Sequence, residues 1–252
     1  MTTWVLLRGW TRDARHWGGF PAVLQARLPA GDRVLAPDLP GCGTRRAERS
    51  PAHVQGLMEA LRGDLLRSGH AGPFVLVALS LGGMVACDWA SRHPSGLRGC
   101  VLINASIGGL APFWQRLRPT AVARLPALAL ARDARTRERG ILALTSQARR
   151  HDHELAEAWA QYALASPLSM GTAVRQLAAA ARFRAPPQRP PVPLLVLASG
   201  GDRLVSPSCS RAIARHWEAP LAEHPTAGHD LPLDAPDWVA DAIRDWWTKL
   251  PT

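Results

Sequence analysis

The chain predicts an α/β protein: a doubly wound, mainly parallel sheet of about six strands, with a helical cap inserted after the fourth strand. Three observations predict it. Short apolar runs alternate with helical patterns in both outer thirds of the chain, as they do when a parallel sheet is covered on both faces. The middle segment, residues 108–186, has no strand-like run and reads as helices alone. A small-x-Ser-x-Gly turn, Ala78-Leu79-Ser80-Leu81-Gly82, joins the third apolar run directly to a helix. With 252 residues, the chain can bury the core this architecture needs.

The elements follow in order. Strands are expected over residues 4–7, 33–36, 74–79, 99–104, 193–198 and 220–224, each an apolar stretch bounded by turn residues. Helices fall between them at 20–28, 50–66, 81–93, 207–217 and 234–250. The second starts at Ser50-Pro51, a good cap and first-turn pair, and the last carries Ala235-Pro236 at its start. The middle segment resolves into helical stretches at 112–117, 121–130, 135–147, 153–165 and 169–182. It ends on the stiff run Ala185-Pro186-Pro187-Gln188-Arg189-Pro190-Pro191. The expected organisation is a core of residues 1–107 and 187–252 with a lid-like cap of residues 108–186.

Composition narrows the function. No run of 18 apolar residues appears, which argues against a membrane span. The N-terminus lacks the basic start and apolar stretch of a secretory signal. Cys42, Cys87, Cys100 and Cys209 are scattered without a C-x-x-C pair, which points to free thiols and a cytoplasmic protein and gives no metal-ligand spacing. The net charge is +10, and residues 108–186 hold 12 Arg against five acidic residues. Aromatics are too sparse there, and nucleic-acid motifs too absent, for a nucleic-acid binder. An anionic substrate or an acidic protein partner fits the charge.

The chemistry centres on Ser80. A strand that ends on a serine and reverses at once into a helix turns so sharply that the residues two before and two after must be small, here Ala78 and Gly82. The hydroxyl then stands above the sheet at the positive end of a helix. A nucleophilic serine needs a base and a carboxylate to orient that base. Both are expected on loops at the carboxyl ends of later strands. Asp202 follows the fifth strand within Ser199-Gly200-Gly201-Asp202, and His229 follows the sixth within Ala227-Gly228-His229. Rivals are weaker: Asp230 is adjacent to the histidine, His216 lies on a helix, and His224 lies within a strand. The remaining histidines (His16, His53, His70, His93, His151, His153) read as surface residues. The oxyanion of an ester intermediate needs two backbone N–H donors, assigned to Leu81 and to Trp10 in the Leu7-Arg8-Gly9-Trp10 loop. No phosphate-binding glycine loop and no cofactor motif occurs.

These residues resemble the α/β-hydrolase superfamily along nearly the full chain. The match is carried by Leu6-Leu7-Arg8-Gly9-Trp10 with Trp17, Asp38-Leu39-Pro40-Gly41-Cys42-Gly43, Ser80-Leu81-Gly82-Gly83, Asp202 and Gly228-His229. With its basic helical cap the chain is similar to bacterial pimeloyl-acyl-carrier-protein methyl ester esterases. That resemblance implies a carboxylesterase with an acyl-enzyme on Ser80 and no cofactor. It also implies an acidic carrier protein held by cap arginines such as Arg116, Arg118, Arg135, Arg137, Arg139, Arg149 and Arg150. Two departures stand out. Arg8 replaces the His usual in the family, and would pair with an acid such as Asp38 or face an anionic substrate group. The family's leading antiparallel hairpin is also missing, so the first strand here corresponds to the family's third. Arg8, Phe113, Trp114, Trp159 and Leu164 are expected to line the substrate pocket. Alternatives with the same three groups are a carbon–carbon bond hydrolase, a lyase or an acyltransferase. Another is a degenerate hydrolase acting as a small-molecule receptor.

Overall fold

A computed structural model describes residues 1–250 of the chain. Six strands, β1 (Thr3–Leu7), β2 (Arg33–Leu35), β3 (Phe74–Leu79), β4 (Leu97–Ile103), β5 (Leu194–Ser199) and β6 (Leu221–His224), form one sheet in the order β2-β1-β3-β4-β5-β6. Every pairing is parallel. The chain first winds outward from β1 to β2, then returns to place β3 on the other side of β1. That reversal opens a crevice beyond the carboxyl ends of β1 and β3, where open sheets of this kind bind ligands. The segments that follow these two strands begin at Arg8 and at Ser80.

Side chains along the strands alternate between two cores. Val5, Leu7, Leu76, Ala78, Leu102 and Val196 face one layer, packed under α2 (Val54–Arg67), α3 (Leu81–Arg92) and α10 (Pro207–His216). Trp4, Leu6, Val75, Val77, Val101 and Leu197 face the other, under α1 (Phe20–Gln25) and α12 (Pro236–Trp247). All six residues of β3 are buried, which explains the uninterrupted apolar run in the sequence.

Three expected helices start or divide elsewhere than the sequence pattern suggests. The second begins at Val54, after His53 rather than at Ser50-Pro51. Ser50 is buried, and Pro51 packs beside Gly56, so the Ser-Pro pair forms the approach to the helix. The single helix expected over 234–250 is instead α11 (Leu231–Asp234) and α12. Pro236 bars Ala235 from helical geometry and leaves it at φ −143°, ψ 61°. The helix expected over 121–130 is two short turns, α5 (Pro119–Val122) and α6 (Leu125–Ala129), with Pro126 in the first turn of α6.

The middle segment also holds α4 (Phe113–Arg116), α7 (Ala134–Thr145), α8 (His153–Ala165) and α9 (Met170–Arg182). Helices α7 and α8 pair around their own small core of Leu142, Ala156 and Trp159. Helix α9 buries Ala179 in the main core. The two ends of the segment meet, with Gly108 hydrogen-bonded to Phe183 and Ala185 at 3.2 and 3.0 Å. Among the described residues no helix is long and apolar enough to cross a membrane.

Candidate active site

Ser80 sits between the last residue of β3 and the first of α3 with φ 57° and ψ −116°. A residue with a Cβ rarely adopts such a left-handed φ, so neighbouring structure must hold it there. The Ser80 N–H donates to the Ile103 carbonyl at 2.9 Å, and its own carbonyl accepts from Gly83 at 2.9 Å. Gly82 is the tight point. A Cβ there would run into the Leu7 carbonyl and lie 2.8 Å from the Arg8 carbonyl. The first small position, Ala78, is fully buried and pairs in register with Leu7 and Leu102.

Asp202 and His229 meet. The ring Nδ1 of His229 lies 2.7 Å from Asp202 Oδ2 and donates to it. Asp202 Oδ1 accepts from the Leu204 and Val205 amides at 2.8 and 2.9 Å, and both side chains are buried. Three donors, two backbone amides and the His229 ring, thus hold the carboxylate in one orientation. Ser80 and His229 line the same cavity of about 1380 Å³. Among the described residues no hydrogen bond is present between them.

Asn104, at the end of β4, holds the histidine loop. Its Nδ2 donates to the His229 carbonyl and to Ser199 Oγ, both at 2.8 Å, and its Oδ1 accepts from the Ser199 amide at 2.9 Å. Nothing in the sequence pattern singles out Asn104, because its partners are 95 and 125 residues away. Its left-handed φ of 45° is a tertiary feature too. The segment after α7 braces the same loop: Asp234 Oδ2 accepts from Gly228 and Gln147 amides at 2.7 and 2.8 Å.

The loop after β1 carries the second candidate oxyanion donor. Trp10 Nε1 donates to the Ala173 carbonyl at 2.8 Å, and the Thr11 amide donates to Gln176 Oε1 at 2.9 Å. Helix α9 therefore suspends this loop. Among the described residues, neither the Trp10 nor the Leu81 main-chain N–H has an acceptor outside the regular elements, and Trp10 borders the cavity.

Arg8 does not pair with Asp38. Asp38 instead accepts from the Ala14 and Thr44 amides, both at 2.7 Å. Arg8 reaches Asp230 in a two-pronged contact, Nη1 to Oδ1 at 3.1 Å and Nη2 to Oδ2 at 2.6 Å. Asp230, a rival acid by sequence, is thereby occupied. His16 is not a surface residue: it is buried, borders the cavity and sits within hydrogen-bond distance of Asp13 and Arg12. Burial and the neighbouring Arg12 charge push its pKa down to about 4.

The remaining expectations divide. Leu164 borders the cavity, whereas Phe113, Trp114 and Trp159 do not. Phe113 and Trp114 pack edge-to-face on each other at 5.1 Å while staying largely exposed. Trp159 is buried in the α7–α8 core with the Arg12 guanidinium over its ring at 4.7 Å. Of the seven arginines expected to hold a carrier protein, Arg116 and Arg118 turn inward, donating to the Ala180 and Asp202 carbonyls at 2.6 and 2.7 Å. Arg135, Arg137 and Arg149 are paired with Glu157, Glu138 and Asp152. Arg139 and Arg150 have no acidic partner within 4.0 Å among the described residues. Among those residues no group of three or more His, Cys, Asp or Glu side chains is arranged to hold a metal ion.

Comparisons with known proteins agree with this architecture. The chain is 30% identical over 256 residues to a pimeloyl-[acyl-carrier protein] methyl ester esterase of Aromatoleum aromaticum, covering 96% of each chain. A thermophilic esterase structure from Thermogutta terrifontis matches with a TM-score of 0.75 at 25% identity, covering 100% of this chain and 91% of that one. An enol-lactonase structure from Burkholderia xenovorans shares the fold, with a TM-score of 0.77 at 20% identity over 98% and 92% of the two chains. The model of the alpha/beta hydrolase family matches residues 4–242, and the chain belongs to that family.

Proposed function

We propose that the protein is a serine carboxylesterase. The observation that carries this reading is the buried His229–Asp202 contact of 2.7 Å facing the same cavity as a serine held on a left-handed turn. Asp202 fixes the His229 tautomer, leaving Nε2 as the proton acceptor. As the Ser80 Oγ attacks an ester carbonyl, its proton passes to His229. The Trp10 and Leu81 amides receive the negative charge that develops on the carbonyl oxygen, each donor worth about 3 kcal/mol of barrier in comparable sites. His229 then protonates the departing alkoxide. Water, deprotonated by the same histidine, releases the acid from Ser80.

The cavity favours a sizeable acyl group. Leu125, Leu128, Leu164, Met170, Val174 and Leu177 present apolar surface along its wall. The likeness to the Aromatoleum aromaticum esterase supports an ester whose acyl chain is borne by an acidic carrier protein docked at the basic segment. Arg124, Arg132, Arg139 and Arg150 are exposed there and have no acidic partner within 4.0 Å among the described residues, which leaves their charge available to such a carrier. Purified protein is expected to hydrolyse p-nitrophenyl esters and to be labelled by a fluorophosphonate probe. Ser80→Ala should fold with an unchanged melting temperature yet lose turnover by at least about a thousandfold. Full turnover in that variant would rule out the mechanism.

A further inference from the structure

We propose that Arg8 and Asp230 form a buried clamp that positions the oxyanion loop against the His229 loop, a positioning role that rests on the esterase reading above. Arg8 leaves the carboxyl end of β1 two residues before Trp10, whose amide is the second oxyanion donor. Asp230 directly follows His229. The two side chains join these loops across 222 residues of sequence through paired bonds of 3.1 and 2.6 Å. Both are about 5% exposed or less, so bulk salt screens the contact little.

The surroundings hold the clamp in one geometry. The Arg8 guanidinium lies over the Trp17 ring, 4.7 Å from its centroid. The Asp230 amide donates to the Thr145 carbonyl at 2.8 Å, and the Arg8 carbonyl lies against Gly82 in the first turn after the nucleophile. The clamp therefore touches all three parts of the site: the serine turn, the oxyanion loop and the histidine loop. A planar, two-pronged guanidinium fixes the direction as well as the distance between its ends, which a lysine ammonium cannot do. The Arg8 Nε has no hydrogen-bond partner among the described residues, so Asp230 carries the polar anchoring of that side chain.

Arg8→Lys, Asp230→Asn and the double variant test the clamp, alongside wild type and Ser80→Ala. Each is measured for melting temperature, kcat and KM on a p-nitrophenyl ester, the rate of fluorophosphonate labelling, and hydrogen exchange in residues 8–12 and 228–231. The single variants are expected to lower kcat and labelling rate about 10- to 100-fold, as sub-ångström misplacement of reacting groups does, with KM changed less than about twofold. Exchange should quicken in both loops. The double variant should lose no more than the worse single, because the two residues act as one unit. Folded single variants that keep kcat within twofold of wild type, or a multiplicative loss in the double, would overturn the clamp. A purely structural pair would lower the melting temperature without moving kcat. Active Ser80→Ala would instead overturn the esterase reading, whatever the clamp variants do. If the single variants fail to fold, the folded double variant decides the question: wild-type kcat in it overturns the proposal.

Discussion

At the scale of residues, the site is governed by buried charge. Asp13, His16, Arg12 and Glu138 form a chain of contacts beside the cavity, with Arg12 Nη1 2.6 Å from Glu138 and 3.0 Å from His16 Nε2. His16 is held neutral, its pKa pushed down to about 4 by burial first and by Arg12 second, although its contact with Asp13 opposes both. Its unfolded pKa is about 6.5. Between these values the unfolded chain binds a proton that the folded chain refuses, so stability is fully present above pH about 6.5 and falls as the pH drops toward 4. Urea unfolding at pH 7.5, 6, 5 and 4 should show this loss, on the order of a few kcal/mol across the window. His16→Gln should flatten the profile there, and an equally steep profile in that variant would assign the loss to other groups. The histidine's role was not legible in the sequence. His16 lies in no recognised loop context, and its burial depends on Trp159 and Tyr162, whose rings pack edge-on at 5.3 and 5.6 Å.

At the scale of elements, the inserted helices differ in how firmly they are held. Helix α9 is integral: it supports the loop after β1 through Ala173 and Gln176 and places Ala179 in the main core. Helices α7 and α8 stabilise each other. The short turns α5 and α6 are weaker, since α6 buries no side chain and Leu130 beyond it is 82% exposed. Few buried contacts mean a low free energy of local opening. Brief trypsin treatment should therefore cut first after Arg124 or Arg132, leaving the sheet and α9 intact. Mass spectrometry of the early fragments checks this, and first cuts within α2 or α12 would refute it. Helix existence was legible here from periodicity alone. The division of 121–130 at Pro126 was not, because a proline is compatible with either a first turn or a kink until neighbouring contacts choose.

At the scale of the molecule, charge and topology act separately. The parallel sheet and its reversal between β1 and β3 set where the site lies. The proposed role of the excess of arginine in the inserted segment is to select what approaches that site. With an acidic carrier as the proposed partner, kcat/KM on a carrier-linked ester should fall at least about tenfold between 50 and 300 mM salt, since exposed attraction is screened over about 10 Å or less. Turnover of a small uncharged ester should change little. Equal salt responses would show that the basic segment does not guide the substrate.

The sequence by itself determined the parallel α/β architecture, the serine turn, and the order of Ser80, Asp202 and His229. Each is written in local spacing: strand runs, small residues flanking a turn, and loops placed after strands. Only the tertiary structure decided which polar groups are partners. It paired Arg8 with Asp230 rather than Asp38, set Asn104 to hold the His229 loop, and turned Arg116 and Arg118 inward. It also excluded Phe113, Trp114 and Trp159 from the cavity wall. The physical reason is that backbone geometry repeats over a few residues, whereas a hydrogen bond or ion pair depends on where distant segments come to rest. The sequence therefore names the candidate groups, and packing determines what holds them in place.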